Sequence, residues 1–360
     1  MDLNKKQTLD NRLQRIANVL LLNASFIDNL GLLNGKMGIA IFFFHYARYT
    51  GNEVYERYAG ELIDEIYNEI NYGTPVDFAN GNTGIGWGIE YLIRNSFVEA
   101  DRDETLKEID NAVFGASLRM PVMLTHSNDI LGYGLYYLVR LYGREQIEDD
   151  INILHLKQTL IYLVDDCERL LVHKKYLDEN ISGLSAGQLN SILFYLHEIH
   201  RLELFPVKVE KLFFHLPEHL EMLVAKNDDW ADKQTLLQLI NHLMPHLSDA
   251  VLKKKYVEIA ALLSKTGFEK NNDESVIAQA SLLNWHKLVY PVHFTTNKKV
   301  RTLTEKAFAL VDDEERWDHR LENLTKENLG LNNGLAGLGF TLLNFVNENN
   351  EKACKAGFAE

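Results

Sequence analysis

The chain of 360 residues carries 51 Asp and Glu residues against 37 Lys and Arg residues, a net charge of −14 at pH 7. A chain this acidic, without a cluster of basic residues, is not expected to bind nucleic acid, because phosphates are bound by clustered Lys and Arg. Hydrophobic residues make up 46% of the sequence, which excludes a disordered chain and suffices for a packed core. The excess acid favours solubility and would also attract a basic peptide.

The two cysteines, Cys167 and Cys354, lie far apart in the sequence. Two such thiols in a long chain are typical of a reducing compartment rather than of a disulfide scaffold. The N-terminal residues lack the apolar run of a signal peptide. The most apolar stretch, residues 37–44, is much shorter than the roughly 20 residues that cross a bilayer. We therefore expect a cytoplasmic protein without a transmembrane segment.

An Asn-Gly-x-x-Gly motif recurs along the chain, and each copy stands directly before an apolar segment with helical spacing. Three copies are sharp, and their paired glycines are Gly35 and Gly38, Gly81 and Gly84, and Gly334 and Gly337. Two weaker copies contain Gly132 and Gly187. The repetition of one motif before successive helices is typical of a helical repeat protein.

The spacing of the motifs predicts about seven units of roughly fifty residues each. The recognisable motif positions are near 35, 81, 129, 187 and 334. The gap between 187 and 334 has room for two more, which we place near 233 and 279, where apolar helical segments occur without glycines. We therefore expect a single domain over residues 1–360.

A second helix is predicted in each unit. Residues 54–70 place apolar side chains such as Leu62 and Ile66 at spacings of four, with acidic residues on the other side. Similar amphipathic segments lie at 156–171 and 251–263, and strand-like alternation is nearly absent. A hairpin of two such helices cannot bury its apolar face alone, so neighbouring units must stack.

Stacked hairpins form either an open array or a closed ring, and the glycines bear on this choice. Glycine at the start of a helix removes a side chain where backbone segments come close together. In a ring, the inner helices converge and need this space, whereas in an open array the glycines would only make tight turns. The recurrence of the motif favours an all-α fold, an (α/α) toroid of about seven helical hairpins with inner and outer helix rings.

Two segments, GLLNGKMGIA at residues 31–40 and GLNNGLAG at residues 330–337, resemble the glycine motifs of the lanthionine synthetase C-like (LanC-like) family. This resemblance implies a toroid with seven inner and seven outer helices. It also implies a role in peptide maturation, because the best-known members cyclise dehydrated precursor peptides by adding a Cys thiol to dehydroalanine or dehydrobutyrine. The implied partners are a precursor peptide or a peptide-modifying enzyme.

Cyclisation in that family depends on zinc, held by a Cys of the fifth motif and a Cys-His pair of the sixth, which activates the substrate thiol as a thiolate. In this chain Ala231 stands at the first of these positions, and Ile277 and Ala278 stand at the other two. Ala186 replaces the proton-transfer His of the fourth motif. The resemblance therefore predicts a divergent member that lacks the zinc-ligand motifs and has no cofactor.

Asp129, flanked by His126 and Asn128, is the candidate for a catalytic acid that faces the central cavity. The aspartate of the family's third motif maps onto Thr125, or onto Asp129 if the loop is shorter. The alternative for Asp129 is an N-cap of the third inner helix. Trp230 and Trp285 are candidates for lining a peptide groove, with core packing as the alternative for both.

Two further carboxylates, Asp77 and Glu90, flank the second motif. Other α/α toroids, among them glycoside hydrolases, place an acid pair at the mouth of the ring. Asp77 also fits a residue that caps or turns a loop. Glu90 fits a helix position that faces solvent.

Three histidine pairs have helical spacing, namely His215/His219, His242/His246 and His197/His200. Two imidazoles together with a carboxylate can hold zinc. No motif marks a third ligand, so we interpret these histidines as surface or groove residues and predict no metal site.

Three functional hypotheses follow. The first is a LanC-like peptide-maturation protein that has lost the zinc-dependent cyclase activity and binds a peptide or a partner enzyme. The second is an α/α-toroid enzyme of another class that uses carboxylates such as Asp129, for example on carbohydrate. The third is a helical-repeat interaction scaffold whose glycines only turn corners.

Overall fold

Fifteen α-helices and no strand make up the part of the chain that the computed structural model describes, which is residues 3–357 without 118–126, 148–149, 173–183, 226–228, 268–272, 291–297, 323 and 333. In chain order the helices are α1 (Leu3–Asn23), α2 (Lys36–Thr50), α3 (Glu53–Glu69), α4 (Asn82–Arg94), α5 (Arg102–Ser117), α6 (Ser127–Leu141), α7 (Ile151–Val172), α8 (Ala186–Arg201), α9 (Pro206–Val224), α10 (Trp230–Leu243), α11 (Ala250–Lys265), α12 (Asp273–Val289), α13 (Lys298–Asp312), α14 (Glu314–Glu322) and α15 (Leu335–Gly357).

The helices form two concentric rings. The inner ring consists of α2, α4, α6, α8, α10, α12 and α15, each packed against the next, and α15 returns to pack against α2. The outer helices cover them in turn: α3 packs on α2, α5 on α4, α7 on α6, α9 on α8, α11 on α10 and α13 on α12. The first helix, α1, packs on the last inner helix, α15, and so completes the outer ring. The predicted toroid is confirmed, and an open array is excluded.

Inner and outer helices differ in how much of their surface is buried. On α2 every residue from 36 to 44 is buried, because an inner helix is covered both by its neighbours and by an outer helix. On α3 the buried residues are Tyr55, Ala59, Leu62 and Ile66, which form the single apolar stripe of a surface helix. None of the described helices is both long and apolar enough to span a membrane.

The motif glycines are required by space rather than by an unusual backbone conformation. Gly35 has extended dihedral angles, φ −135° and ψ −165°, which any residue adopts. A Cβ atom at Gly35 would overlap the carbonyl oxygen of Asn29, and one at Gly81 would overlap that of Pro75. In each case the loop before an inner helix folds back over the first residues of that helix, so a side chain would separate the two segments.

Glycines also bring neighbouring units together. A Cβ atom at Gly31 would overlap the backbone of Asn80, and Leu33 N–H donates to Ala79 O at 2.9 Å. Across the junction of the last and first units, Asn332 N–H donates to Leu33 O at 2.9 Å. These glycines therefore serve both roles that the sequence left open, which are tight turns and close packing between units.

Units five and six begin differently from the expectation. The predicted motif positions 233 and 279 lie inside α10 and α12, which begin at Trp230 and Asp273. Lys233 and Gln279 are both buried there. Both helices therefore begin before the expected motif positions, whereas α2 and α4 begin directly after Gly35 and Gly81.

Candidate functional site

Aromatic side chains meet inside the inner ring. Trp285 on α12 lies with its ring centroid 5.8 Å from that of Trp87 on α4 and 6.3 Å from that of Phe78, which precedes α4. Trp87 stacks on Tyr91 at 5.4 Å. Because α4 and α12 are not adjacent in the ring, these contacts cross its interior. Trp285, Phe78 and Tyr91 are only partly buried, so this aromatic cluster (Phe78, Trp87, Tyr91 and Trp285) presents apolar surface.

His45 on α2 lies next to the aromatic cluster. Its Nε2 lies 2.8 Å from the Tyr91 hydroxyl, and its ring lies 5.0 Å from that of Phe340. Burial, together with the charge of Arg48, lowers the pKa of His45 to about 4. The ring is therefore neutral at pH 7.

The pKa of His45 predicts a pH dependence of stability. Between pH 6.5 and pH 4 the unfolded chain binds a proton at His45 that the folded chain does not, so stability is full above pH 6.5 and falls with acidification. Between pH 7 and pH 5 we expect protonation of His45 in the unfolded chain to lower the free energy of unfolding by about 2 kcal/mol. Urea unfolding at several pH values measures this loss. His45→Gln should reduce the slope over that interval. Part of the slope should remain because burial also lowers the pKa of His286, and an equal slope in both proteins would contradict the assignment.

A polar network joins α8, α10 and α12 at the wall of the ring. Asp232 on α10 accepts a hydrogen bond from Asn190 Nδ2 at 3.1 Å, and its Oδ1 lies 3.3 Å from Nε2 of His286. On the other side of the imidazole, Nδ1 lies 2.7 Å from the Thr235 hydroxyl. Burial lowers the pKa of His286, so we assign a neutral ring whose Nε2–H donates to Asp232 and whose Nδ1 accepts from Thr235.

This order of hydroxyl, imidazole and carboxylate has the form of an activated nucleophile. Burial excludes a role as a nucleophile, because Thr235 is fully buried and His286 is 5% exposed. A substrate carbonyl does not reach the hydroxyl in this arrangement. The network therefore holds three inner helices together, and its role is structural.

Units five and six contact each other through the N-terminal ends of α10 and α12. Gln279 Oε1 accepts a hydrogen bond from Ala231 N–H at 2.7 Å, and its Nε2 donates to Asp229 at 2.7 Å. Ala231 is fully buried beside Val276. Trp230, the candidate for lining a groove, belongs to this same apolar cluster and is 6% exposed. Its alternative, core packing, is the one that the structure supports.

Glu90 does not face solvent, in contrast to the expectation. Its side chain is fully buried, and its carboxylate lies 2.5 Å from Arg140 Nη1 and 2.7 Å from Arg102 Nη2. Arg140 also binds Asp110 at 2.7 Å and Asp103 at 2.8 Å. An inner-helix carboxylate is buried on all sides, so it is paired with arginines rather than solvated. These five side chains, the Glu90 ion network, connect α4, α5 and α6.

The other two carboxylates that the sequence analysis singled out are Asp77 and Asp129. Asp77 accepts backbone hydrogen bonds from Ala79 at 2.9 Å and Asn80 at 2.8 Å, which confirms its role in turning a loop. Asp129 lies in the first turn of α6, which begins two residues earlier at Ser127, so it does not occupy the N-cap position. The Asp129 and Asn128 side chains, like Thr125 and the whole of His126, lie outside the described residues.

Two of the three histidine pairs, His215/His219 and His197/His200, place their imidazoles in different surroundings. His242 and His246 remain close together, with ring centroids 5.9 Å apart. On α9, His215 is exposed while His219 is buried with Nε2 2.9 Å from Leu171 O, so these two do not form a pair. His200 lies 3.6 Å from Glu210. Residues that the sequence did not mark are Asp232, His286 and Thr235. Only the spacing of three between Asp232 and Thr235, which places both on one face of α10, was available to indicate them.

The closed ring of helical hairpins, with glycine-marked inner helices, defines an α/α-toroid protein. A comparison with models of protein families matches residues 27–213 to the family described as "Lanthionine synthetase C-like protein". This match covers more than half of the chain, and the chain therefore belongs to the LanC-like family. A search of the curated proteins found no match. Membership of this family supports a role connected with peptide modification.

The residues that the resemblance places at the family's zinc-ligand positions do not fit a zinc ion. Ala231, Ile277 and Ala278 carry no ligand atom, and Ala231 and Ile277 are buried against apolar side chains. The nearby His286 has both ring nitrogens in hydrogen bonds. Cys167 is fully buried in the outer helix α7, where burial raises the pKa of its thiol. No step of thiol activation by zinc is therefore derived for this site.

Proposed function

We propose that this LanC-like protein binds a peptide that is modified by a partner enzyme, and does not itself catalyse zinc-dependent thiol addition. The observation that supports this proposal is that Ala231, Ile277 and Ala278, which the resemblance places at the three zinc-ligand positions, carry no ligand atom within a closed toroid. Zinc holds the substrate thiol as a thiolate in such chemistry. A chain without these ligand atoms retains a surface that binds a peptide, but it does not activate the substrate thiol.

The aromatic cluster supplies a surface suited to a peptide. Partly exposed aromatic rings contribute large apolar area and are enriched at the energetic centres of interfaces. Trp285 is the member that reaches across the ring, and it is partly exposed. The net charge of −14 favours association with a basic rather than an acidic peptide.

The absence of cyclase activity is tested with a synthetic peptide that contains one dehydroalanine and one Cys. Addition forms a C–S bond and moves the thiol proton to the α-carbon, so the mass is unchanged. Unreacted thiols are therefore alkylated with iodoacetamide and counted by mass spectrometry. With added zinc we expect the same loss of thiol with the protein as without it. A faster, chelator-sensitive loss in the presence of the protein would contradict the proposal.

Peptide binding is tested by fluorescence anisotropy with a labelled basic peptide of Ser, Thr, Cys and Lys residues. We expect saturable binding that Trp285→Ala weakens about tenfold or more, as for an aromatic residue at the centre of an interface. Phe214→Ala is the matched control, because Phe214 is an exposed aromatic residue on the outer helix α9. Equal affinities for both variants, or no binding of the peptide, would exclude the ring interior as the peptide site.

A further inference from the structure

Three histidines from two inner helices meet at the C-terminal ends of α8 and α10. His197 lies near the end of α8, His242 is in the last turn of α10, and His246 ends the 3-10 turn that follows α10. Each offers a ring nitrogen, and these nitrogens lie within 4.8 Å of one another. The ring centroid of His197 lies 4.8 Å from that of His242 and 5.3 Å from that of His246.

The local structure explains this convergence. His242 and His246 are four residues apart, and the turn over Met244–His246 continues the helical direction for one more turn, so both imidazoles lie on the same side. Pro245 stands inside that turn, where its ring prevents the regular helix from continuing. The third imidazole comes from α8, the inner helix adjacent to α10, and ring closure rather than sequence spacing brings it there.

The orientation of His197 suits a metal ligand. Its Nδ1 lies 3.2 Å from Glu198 Oε1, which leaves Nε2 as the nitrogen able to bind an ion. Glu198 is itself held by Arg201 Nε at 2.9 Å and by the Tyr142 hydroxyl at 3.2 Å. A carboxylate on the second nitrogen is the usual support of a metal-bound imidazole, because it fixes the ring and raises its basicity. The charge of Arg201 is balanced by Glu198.

We propose that His197, His242 and His246 bind a divalent transition-metal ion of the zinc type. Three imidazoles with a position open to water form a known tetrahedral zinc arrangement. In such a site, Zn–N bonds of about 2.0–2.1 Å place the nitrogens about 3.4 Å apart. The histidine nitrogens, within 4.8 Å, reach this spacing by small side-chain rotations. His246 is exposed, so an ion enters from solvent and His246 is free to adjust.

This site is separate from the family's zinc position. Ala231 lies at the start of α10 and His242 near its end, about 16 Å apart along the axis at 1.5 Å per residue. The metal would join the C-terminal ends of two inner helices at the face of the ring opposite to the glycine motifs. It is independent of the proposed function, because it neither uses nor restores the ligand positions of thiol activation.

The site is tested by titrating chelator-treated full-length protein with zinc chloride in competition with a chromophoric chelator. We expect one equivalent to bind, and His246→Gln and His242→Gln to weaken binding by about 100-fold or more, beyond the 10- to 100-fold typical of a lost supporting residue. His246→Gln alters an exposed side chain, so this variant should fold normally. His215→Gln, an exposed histidine on α9, is the matched control and should bind zinc as the unmodified protein does.

A spectroscopic measurement supplies the second readout. Cobalt(II) added in place of zinc should give the visible absorption of a four-coordinate nitrogen site, and His246→Gln should abolish it. Glu198→Gln should weaken zinc binding about 10- to 100-fold, as expected of a positioning residue. Zinc should also raise the midpoint of thermal unfolding of the unmodified protein but not of His246→Gln. No bound zinc, or equal zinc affinity of His246→Gln and His215→Gln, would overturn the proposal.

Discussion

Arg140→Leu is expected to lower the free energy of unfolding by about 3–5 kcal/mol, the cost of removing one partner from a buried ion pair. Arg140 is 2% exposed and binds three carboxylates, of which Glu90 is fully buried. The substitution leaves Glu90 with Arg102 alone and places Asp110 beside an apolar side chain. Because the Glu90 ion network joins α4, α5 and α6, we expect the loss to appear as global unfolding in urea.

Arg301→Leu is the matched control for this prediction. Arg301 pairs with Glu305 at 2.9 Å on α13, and both side chains are more than half exposed. Exposed pairs of this kind contribute only about 0–1 kcal/mol, because water screens the charges and the side chains lose freedom. A cost for Arg140→Leu as small as that of the control would show that the Glu90 ion network is hydrated and adaptable rather than buried.

Gly81→Ala is expected to cost about 3 kcal/mol or to prevent folding, since forcing extra volume into a packed site costs about 1–3 kcal/mol and occasionally more. The added Cβ would overlap the carbonyl group of Pro75, which is backbone and cannot rotate away. The loop before α4 would have to lift from the helix start. Thermal unfolding followed by circular dichroism measures the change.

Gly60→Ala separates a steric effect from a general effect of replacing glycine. Gly60 lies inside α3, and nothing lies within 4 Å of a Cβ built there. Alanine is favoured over glycine inside a helix by about 0.8–1.0 kcal/mol, so this variant should be more stable than the unmodified protein. A similar result for both glycines would mean that the loop of the second unit does not fold closely over α4.

The residues that the resemblance places at the family's zinc-ligand positions lie near the N-terminal ends of α10 and α12. Ala231 and Ile277 pack with apolar neighbours, while Gln279 joins the two helices through neutral hydrogen bonds. A metal centre holds its ligands by coordination, whereas this end is held by packing and amide contacts.

The sequence by itself determined the helical class and the repeat, and it predicted the loss of the zinc ligands. Helix periodicity and the space needed by glycine are local properties, so Gly35, Gly81 and Gly334 could be recognised before any contact was known. The assignment of Ala231, Ile277 and Ala278 to the zinc-ligand positions depends on the register of units five and six, and it stays a prediction. In these two units α10 and α12 begin before the motif positions expected near 233 and 279, because no glycine marks their starts.

Only the tertiary structure decided which side chains meet. Glu90 with Arg140, Asp232 with His286, and His197 with His242 each join neighbouring inner helices that are one repeat apart in the sequence. An inner helix is buried on nearly all sides, so its sequence carries no single apolar stripe from which the direction of a polar residue can be read. Ring closure sets which faces converge, and that is why Glu90 was wrongly expected to face solvent and the third histidine was not foreseen.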